Sequence, residues 1–201
     1  NPAADGYLAI APAAGSSAAA TLNYQAGVER SITAIVPAGT YLGLQTSQAT
    51  DVVIVVSGYF RTPGAAADTY RPLTPARLVD ARNGTGTCDG SPCATTTAGA
   101  TTLVTAAGAG GLPGSGLHAA VVTVTVVNPA ASGTVVVAPT TSTGGPGAAR
   151  IDYVTGVTTN ASFIAPVDSN GKIAVYTSTA VDLVIDVSGY FMAPDPADLG
   201  L

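Results

Sequence analysis

Charged side chains are scarce in this sequence of 201 residues, and tryptophan is missing altogether. Only 9% of the residues are charged, against about a quarter in ordinary soluble domains. A surface with so few charges consists mainly of Thr, Ser, Gly and Ala, and it favours side-to-side association because little charge has to be desolvated. The net charge of −5 argues against nucleic acid and anionic membranes as partners.

Side chains suited to catalysis are few as well. His118 is the only histidine and Glu29 the only glutamate, so a paired glutamate site is excluded. Ser115 lies close to His118 in the chain, but no serine has the spacing of a nucleophile elbow. Asp182 and Asp186 fall on one strand face about 13 Å apart, which is too far for a glycosidase pair. The sequence therefore predicts a protein that is not an enzyme and that holds no cofactor.

Long apolar runs are also missing. The longest aliphatic run, residues 52–56, is far shorter than the roughly 20 apolar residues of a membrane-spanning helix. No signal peptide precedes residue 1, so we interpret the sequence as a mature or excised part of a protein. The two cysteines, Cys88 and Cys93, lie in CDGSPC, and no second pair completes a metal site. In an exported protein they favour a local disulfide, worth roughly 2 kcal/mol by loop entropy.

What the sequence does contain is an internal repeat. Residues 1–60 match residues 128–191: both segments begin with NPAA, and they end with DVVIVVSGYF and DLVIDVSGYF. Between these ends, Tyr24 and Tyr153 occupy corresponding positions, and we interpret both as packing residues. Several anchors that keep their order indicate two copies of one structural unit.

The residue pattern of both copies predicts short strands. β-Branched residues dominate, and no helical period is long enough for a core helix. The first copy predicts strands at 7–11, 20–24, 31–36, 40–45 and 51–60, and the second copy offers the same set. Residues 118–127 alternate valine with threonine, which predicts a strand with one apolar face. We therefore predict an all-β fold, an antiparallel β-sandwich with pseudo-repeated halves.

The repeat also predicts the domain organisation. Residues 70–127 have no counterpart ahead of the first copy. We divide the chain into the second half of a β module that lacks its upstream strand, a Pro-, Gly- and Ala-rich linker, a complete β module, and a tail. These parts cover residues 1–60, 61–69, 70–191 and 192–201, respectively.

Three motifs of the complete module are familiar: PLTPARLVDAR, AVVTVTVVNPAASGTVVV and DLVIDVSGYF. In this order they resemble a β-rich module that is common in secreted and wall-associated proteins of actinobacteria. The resemblance covers residues 70–191 end to end and, for its latter half, residues 1–60. It implies export, β structure, tandem copies and frequent attachment to wall-active or carbohydrate-active enzymes. It supplies no catalytic residues.

The densest charge cluster consists of Arg77, Asp80 and Arg82. Such a cluster is either a clamp for a carboxylate or sugar, or an Arg–Asp pair that pins the opening strand, which we favour. Asp168 and Asn170 offer oxygen ligands for calcium, but Asp or Asn near Gly is also ordinary turn chemistry. We therefore predict no metal site.

Aromatic side chains, the usual platforms for sugar rings, make up only 5% of the chain. The Tyr-Phe pair that ends each copy, Tyr59-Phe60 and Tyr190-Phe191, is predicted to cap the core at a strand end. The sequence permits carbohydrate binding without indicating it. The platforms that remain for it are Tyr7, Tyr41, Tyr70 and Tyr176.

The first copy lacks the strand that precedes the second copy. A half-module without this neighbour leaves ladder donors and apolar side chains exposed. Three explanations are open: excision from a longer tandem array, packing of residues 70–127 on the first copy, or strand donation between molecules. We predict a secreted structural or adhesive cell-surface protein that self-associates through this gap. The alternative is a carbohydrate- or cell-wall-binding accessory module of a secreted hydrolase.

Overall fold

The computed structural model describes residues 2–12, 20–37, 40–61, 67–138 and 149–194. The chain divides into two compact units, Asn1–Ile54 and Val55–Leu201. In the described residues all regular structure is β-strand, and the strands form three antiparallel sheets. The predicted all-β class is therefore confirmed. A search of the same residues for a helix long and apolar enough to cross a membrane finds none.

Thirteen strands occur in the described part of the chain. Those of the first unit are β1 (Gly6–Ala11), β2 (Ala20–Tyr24) and β3 (Gly43–Thr46). Those of the second unit are β4 (Thr69–Asp80), β5 (Thr87–Cys88), β6 (Ser91–Pro92), β7 (Ala100–Thr105), β8 (Leu117–Val127), β9 (Gly133–Ala138), β10 (Ala149–Tyr153), β11 (Thr159–Pro166), β12 (Lys172–Thr177) and β13 (Asp182–Met192).

The second unit is a β-sandwich. Its six-stranded sheet has the order β10-β9-β12-β7-β5-β6, and its four-stranded sheet has the order β11-β8-β13-β4. Both sheets contribute side chains to one buried cluster, for example Val104 and Val137 from the first sheet and Phe163 and Ile185 from the second. Two antiparallel sheets that share one core in this way define the sandwich architecture that the sequence predicts.

Strand β8 is central to the four-stranded sheet. It pairs with β11 along one edge and with β13 along the other. Val122, Val124 and Val126 are at most 1% exposed, whereas Thr123 and Thr125 on the opposite face are half-buried. The predicted alternation is therefore confirmed. Full burial of one valine stabilises a fold by about 1.5–3 kcal/mol, so this strand is a major contributor to the core.

Cys88 and Cys93 form the predicted disulfide, with their Cα atoms 4.8 Å apart. The bond closes a very short hairpin of β5 and β6. The two residues of its turn, Asp89 and Gly90, have φ angles of 51° and 84°. Positive φ at both central positions is typical of the tight turns that connect hairpin strands, and Asp-Gly adopts them readily. Cys93 is only 1% exposed, so the hairpin is anchored in the core.

The sheet of the first unit repeats part of the second unit. Its strand order is β2-β1-β3, and the corresponding strands of the second copy have the order β10-β9-β12. The register agrees too, because Gly6 pairs with Tyr24 and Gly133 pairs with Tyr153. Within these sheets, therefore, the repeat in sequence is also a repeat in structure.

Two strands predicted for the first copy are absent from the structure. Residues 31–36 and 51–60 are described, and they belong to no strand. Their counterparts in the second copy are β11 and β13, both of which pair with β8. The first copy has no counterpart of β8 in the described part of the chain. The prediction was wrong here because a strand needs a hydrogen-bonding neighbour, which local propensity does not supply.

Of the remaining predicted boundaries, the structure describes those of the strand at 40–45 but only part of the linker and the tail. The predicted strand 40–45 is shorter and shifted, as β3. Most of the predicted linker, residues 62–66, and most of the predicted tail, residues 195–201, lie outside the described residues. The division into domains at residues 61–69 therefore stays a prediction.

Candidate interaction site

The sheet β2-β1-β3 of the first copy and the equivalent strands β10-β9-β12 of the second copy contain the same serine hydrogen bond. The backbone N–H of Tyr7 donates to Ser47 Oγ at 2.8 Å, and the backbone N–H of Thr134 donates to Ser178 Oγ at 2.8 Å. Each donor follows a glycine, at which a Cβ atom would lie 2.6 Å from the same serine oxygen. Glycine is thus required by close approach at both positions. The first copy has folded correctly as far as this sheet extends.

The corresponding tyrosines confirm this. Tyr24 is 7% exposed and Tyr153 is 4% exposed. The hydroxyl of Tyr24 donates to the carbonyl oxygen of Gln48 at 3.3 Å, and that of Tyr153 lies 2.8 Å from Thr179 Oγ1. Both are buried packing residues with a hydrogen-bonded hydroxyl, as predicted.

The two copies differ in the segment that ends each of them. In the second copy this segment is β13, which lies between β8 and β4. Leu183, Ile185 and Val187 of β13 are at most 3% exposed. Asp186 is the outward-facing residue between them, and it forms an ion pair with Arg77 of β4. Alternate residues of β13 therefore face the core and the outer surface.

In the first copy the same segment is open, and we call residues 51–60 the open segment. Val53 is 87% exposed, Val56 is 75% exposed and Tyr59 is 80% exposed. Val56 corresponds to Val187, which is completely buried in the second copy. The open segment thus presents to solvent the apolar side chains that its counterpart buries.

A glycine at the same position of each segment leaves space for a close neighbour. A Cβ atom at Gly189 would collide with the hydroxyl and the ring of Tyr70, which belongs to β4. Gly58 occupies the corresponding position in the open segment, and a Cβ atom there would meet nothing within 4 Å. Neither glycine has a positive φ angle, so backbone conformation does not require it. Gly58 is suited to a close neighbour that the structure does not contain.

The terminal Tyr-Phe pairs differ in the same sense. Phe191 packs against Tyr70 with their ring centroids 5.3 Å apart, and Tyr190 packs against the buried cluster. Phe60 retains one ring neighbour, Phe191, at 6.0 Å and is 63% exposed. The prediction that the pair caps the core is therefore wrong for the first copy, where Tyr59 is also exposed.

Residues 31–36, the other strandless stretch of the first copy, show a similar contrast. Ile35 is 71% exposed and Ile32 is 46% exposed. In the second copy the corresponding residues, Ala161 and Ile164 of strand β11, are half-buried. Both stretches that the first copy leaves outside a sheet therefore carry exposed apolar side chains.

The predicted charge cluster lies at the edge where β4 meets β13. Arg82 donates from Nη2 to Asp80 Oδ2 at 2.7 Å and from Nε to Oδ1 at 2.8 Å. Arg77 donates to Asp80 Oδ2 at 3.1 Å and to both carboxylate oxygens of Asp186. Asp80 is only 4% exposed and both of its oxygens accept hydrogen bonds from arginine. The predicted Arg–Asp pairing is therefore present, and Arg77 joins β4 to β13 through Asp186.

Electrostatics within this cluster are strong. Hydrogen bonds from Arg82, with the positive charges of Arg82 and Arg77, hold the pKa of Asp80 at about 2, below its usual 3.8. The hydrogen bond to Asp186 raises the pKa of Arg77. Sequence reasoning missed Asp186 as the partner of Arg77. The signal available was the second copy's Asp186 at the position where the first copy has Val55.

The other titratable candidates are dispersed. His118 Nδ1 lies 2.8 Å from Asp68 Oδ1, and both side chains are exposed. This partner differs from Ser115, the serine that sequence proximity suggested. Asp182 accepts a hydrogen bond from Thr95 Oγ1 at 2.6 Å, whereas Asp186 is engaged by Arg77. The two carboxylates thus have separate partners.

Asp168 organises the predicted turn before β12. Its Oδ1 accepts the backbone N–H groups of Asn170 at 2.9 Å and Lys172 at 2.8 Å, and its carbonyl accepts that of Gly171. This is the ordinary Asx-turn arrangement. In the ranges that the structure describes, no three His, Cys, Asp or Glu side chains form a group suited to a metal ion.

Comparison with known proteins adds no relative to this description. No family model, no curated protein and no solved structure matches this chain. The class is therefore defined by the fold and the site alone: an all-β protein with one β-sandwich and a partial second copy of it. The open segment is the feature that distinguishes it.

Proposed function

We propose that this chain is a secreted structural or adhesive protein of a bacterial cell surface, and that it associates through the open segment. The observation that carries the proposal is the exposure of Val56, 75%, where its counterpart Val187 is fully buried. An apolar segment of strand-like sequence that pairs with no strand is the kind of surface that accepts another strand by β-augmentation.

The composition supports association as well. Only 9% of the residues are charged, so covering the open segment and its surroundings desolvates little charge. The open segment itself carries one charged residue, Asp51, at its start. A β surface with few charges lacks the devices that usually keep exposed strand edges apart.

Two features support an extracellular location. The disulfide between Cys88 and Cys93 is of the kind that persists in oxidising compartments. The three motifs of residues 70–191 resemble the tandem module of secreted and wall-associated actinobacterial proteins.

Of the tyrosines predicted as possible platforms for the carbohydrate-binding alternative, Tyr41 is 78% exposed, Tyr70 43% and Tyr7 38%, but Tyr70 packs against Phe191. Self-association is favoured because it also accounts for the exposed aliphatic side chains of the open segment.

A pair of neighbouring substitutions tests the association. Val56→Asp places a charge on the face that corresponds to the buried side of β13, whereas Val55→Asp places it where the second copy already has Asp186 on the outer side. We expect concentration-dependent association of the wild-type protein by sedimentation velocity at micromolar concentrations. The Val56→Asp variant is expected to weaken the association at least about 10-fold, equivalent to about 1.4 kcal/mol, while Val55→Asp retains it.

Two results would contradict the proposal. One is a wild-type protein that stays monomeric over the whole concentration range. The other is association to which Val56→Asp and Val55→Asp make no difference, because it would then use another surface.

A further inference from the structure

We infer that the open segment of one molecule pairs with the outer edge of strand β11 in a second copy of the chain. We call this edge, which faces away from β8, the β11 edge. The inference rests on the proposed function and names the surface that receives the open segment. Three observations carry it: the protection of the sandwich edges, the apolar side chains beside β11, and the composition of the two segments.

The β-sandwich has four edge strands in the described residues, β10, β6, β11 and β4. Proteins keep such edges from pairing with other chains by shortness, charge, proline or irregular register. Strand β6 is two residues long and includes Pro92, and β10 carries Arg150 and Asp152. Strand β4 contains Pro72 and Pro75, and its pairing with β13 shifts register twice. Three of the four edges are therefore protected.

Strand β11 has none of these devices. Its eight residues include no charged side chain, and its one proline is the last residue. It pairs with β8 through eight consecutive residues without a register shift. The edge strands of the first unit's sheet, β2 and β3, have only five and four residues. Among the strands that the structure describes, β11 is thus the longest edge strand without charge or internal proline.

Exposed apolar side chains lie directly beside β11. Val154 and Val157, in the turn that precedes it, are 45% and 50% exposed. The turn is ordered, because the backbone N–H of Val157 donates to the carbonyl of Val154 at 3.2 Å. Among the described residues from 67 onwards, the only other exposed large hydrophobic residue is Tyr70, which packs against Phe191. The two valines therefore extend the β11 edge with an apolar surface.

The open segment matches this edge in length and composition. Residues 52–60 contain no charged side chain, so pairing with β11 desolvates no charge on either strand. Val52, Ile54 and Val56 are all exposed, and in a strand they share one face. Added next to β11, that face continues the one on which Phe163 is buried. Pairing thus covers apolar side chains of both partners.

The two surfaces are different, so each molecule gives its open segment to one neighbour and receives that of another. Such a contact is heterologous, and it continues from molecule to molecule unless a ring closes. Pairing of two open segments with each other would instead be self-complementary and would stop at a dimer. The size of the oligomers therefore distinguishes the two arrangements.

Two variants test the inference, each of which disables one surface. Val56→Asp disables the open segment, and Val157→Asp combined with Asn160→Asp disables the β11 edge, where Asn160 is exposed. Only aspartates are introduced, so the two variants do not attract each other. The matched control places two aspartates on the other edges, as Thr74→Asp combined with Ser91→Asp, both at exposed positions.

Sedimentation velocity at micromolar concentrations measures the association. We expect the wild type and the control to form oligomers larger than dimers that grow with concentration. The open-segment variant and the β11-edge variant are each expected to associate at least about 10-fold more weakly. Mixed in equal amounts, they are expected to form dimers and nothing larger, because the mixture contains one intact open segment for each intact β11 edge.

Hydrogen exchange of the mixture locates the contact. We expect exchange to slow by about 10-fold or more in residues 52–60 of the β11-edge variant and in residues 159–166 of Val56→Asp, because amides of both strands become ladder donors. Unchanged protection of β13 in both variants is the control for folding.

The outcomes separate this inference from the proposed function. A β11-edge variant that associates like the wild type, with exchange in residues 52–60 still slowed, overturns the inference and leaves association through the open segment in place. A wild type that stops at dimers has the same meaning. Slow exchange in residues 52–60 and 159–166 at every concentration, with no association, shows pairing within one chain and overturns both. A monomeric wild type without this protection also overturns both.

Discussion

Residues 51–60 and residues 182–191 have nearly the same sequence and opposite structures. The second segment is a strand of the sandwich, with Ile185 2% exposed, whereas the first belongs to no strand and leaves Ile54 47% exposed. The sequences differ at two positions, neither of which forbids a strand. The difference lies in the neighbours, since only the second segment has β8 and β4 beside it. A strand sequence therefore becomes a strand only where a sheet can receive it.

The three-stranded sheet that occurs in each copy shows the opposite case, in which the strands have their neighbours nearby in the sequence. Strands β1, β2 and β3 are all supplied by residues 6–46, so they find one another without help from the rest of the module. Their counterparts β9, β10 and β12 do the same in the second copy. In the four-stranded sheet, by contrast, β8 and β4 come from the first half of the module and β11 and β13 from the second half.

The largest expected difference between the two segments is the loss of stability when an isoleucine of each is shortened. Ile185→Ala is expected to lower the free energy of unfolding of the second unit by about 2–5 kcal/mol, because it leaves a cavity in a packed core. Ile54→Ala, at the corresponding exposed position, is expected to change stability by less than about 0.5 kcal/mol. Urea denaturation of both variants measures the difference. Equal losses would show that the open segment is packed in solution and would break the comparison.

A smaller effect is expected from the disulfide, which lies in the half that the first copy lacks. Replacing both Cys88 and Cys93 by alanine is expected to lower the unfolding free energy of the second unit by about 2 kcal/mol, because the unfolded chain regains the entropy of a short loop. Exchange protection of β1 is expected to stay unchanged. Hydrogen exchange resolved by segment measures both effects, and a loss of protection in β1 would contradict the separation of the two units.

The smallest effect is expected from pH. Because the pKa of Asp80 is lowered to about 2 from 3.8, its ion pairs contribute stability that is fully present above about pH 4 and is lost as the pH falls towards 2. The urea midpoint of the second unit is expected to fall over this range, and less steeply in Asp80→Asn. The first copy has no counterpart of Asp80. Parallel midpoint curves for the two proteins would show that Asp80 is not responsible.

Much of the second module could be predicted from the sequence. The alternation of valine and threonine identified β8, the Asp-Ser-Asn-Gly turn at 168–171 identified the start of β12, and the spacing of Cys88 and Cys93 identified the disulfide. These features are local, so a pattern of a few residues determines them. The repeat also predicted that the first copy has no counterpart of β8 ahead of it.

What could not be predicted depends on contacts between distant residues. The strands predicted at 31–36 and 51–60 are absent because local strand propensity does not supply the neighbouring strand that each of them needs. The pairing of Arg77 with Asp186 joins residues 109 positions apart, and no local pattern announces it. The close approach of Tyr70 to Gly189 likewise joins residues that are far apart in the sequence.

The ion pair between Arg77 and Asp186 has a consequence for folding fidelity. A chain with two nearly identical acceptors for one first half risks joining the wrong pieces, as tandem repeats do when they misfold. On β13, Arg77 meets a carboxylate, but on the open segment it would face the aliphatic Val55. Pairing of β4 with β13 therefore gains an ion pair that pairing of β4 with the open segment would lack.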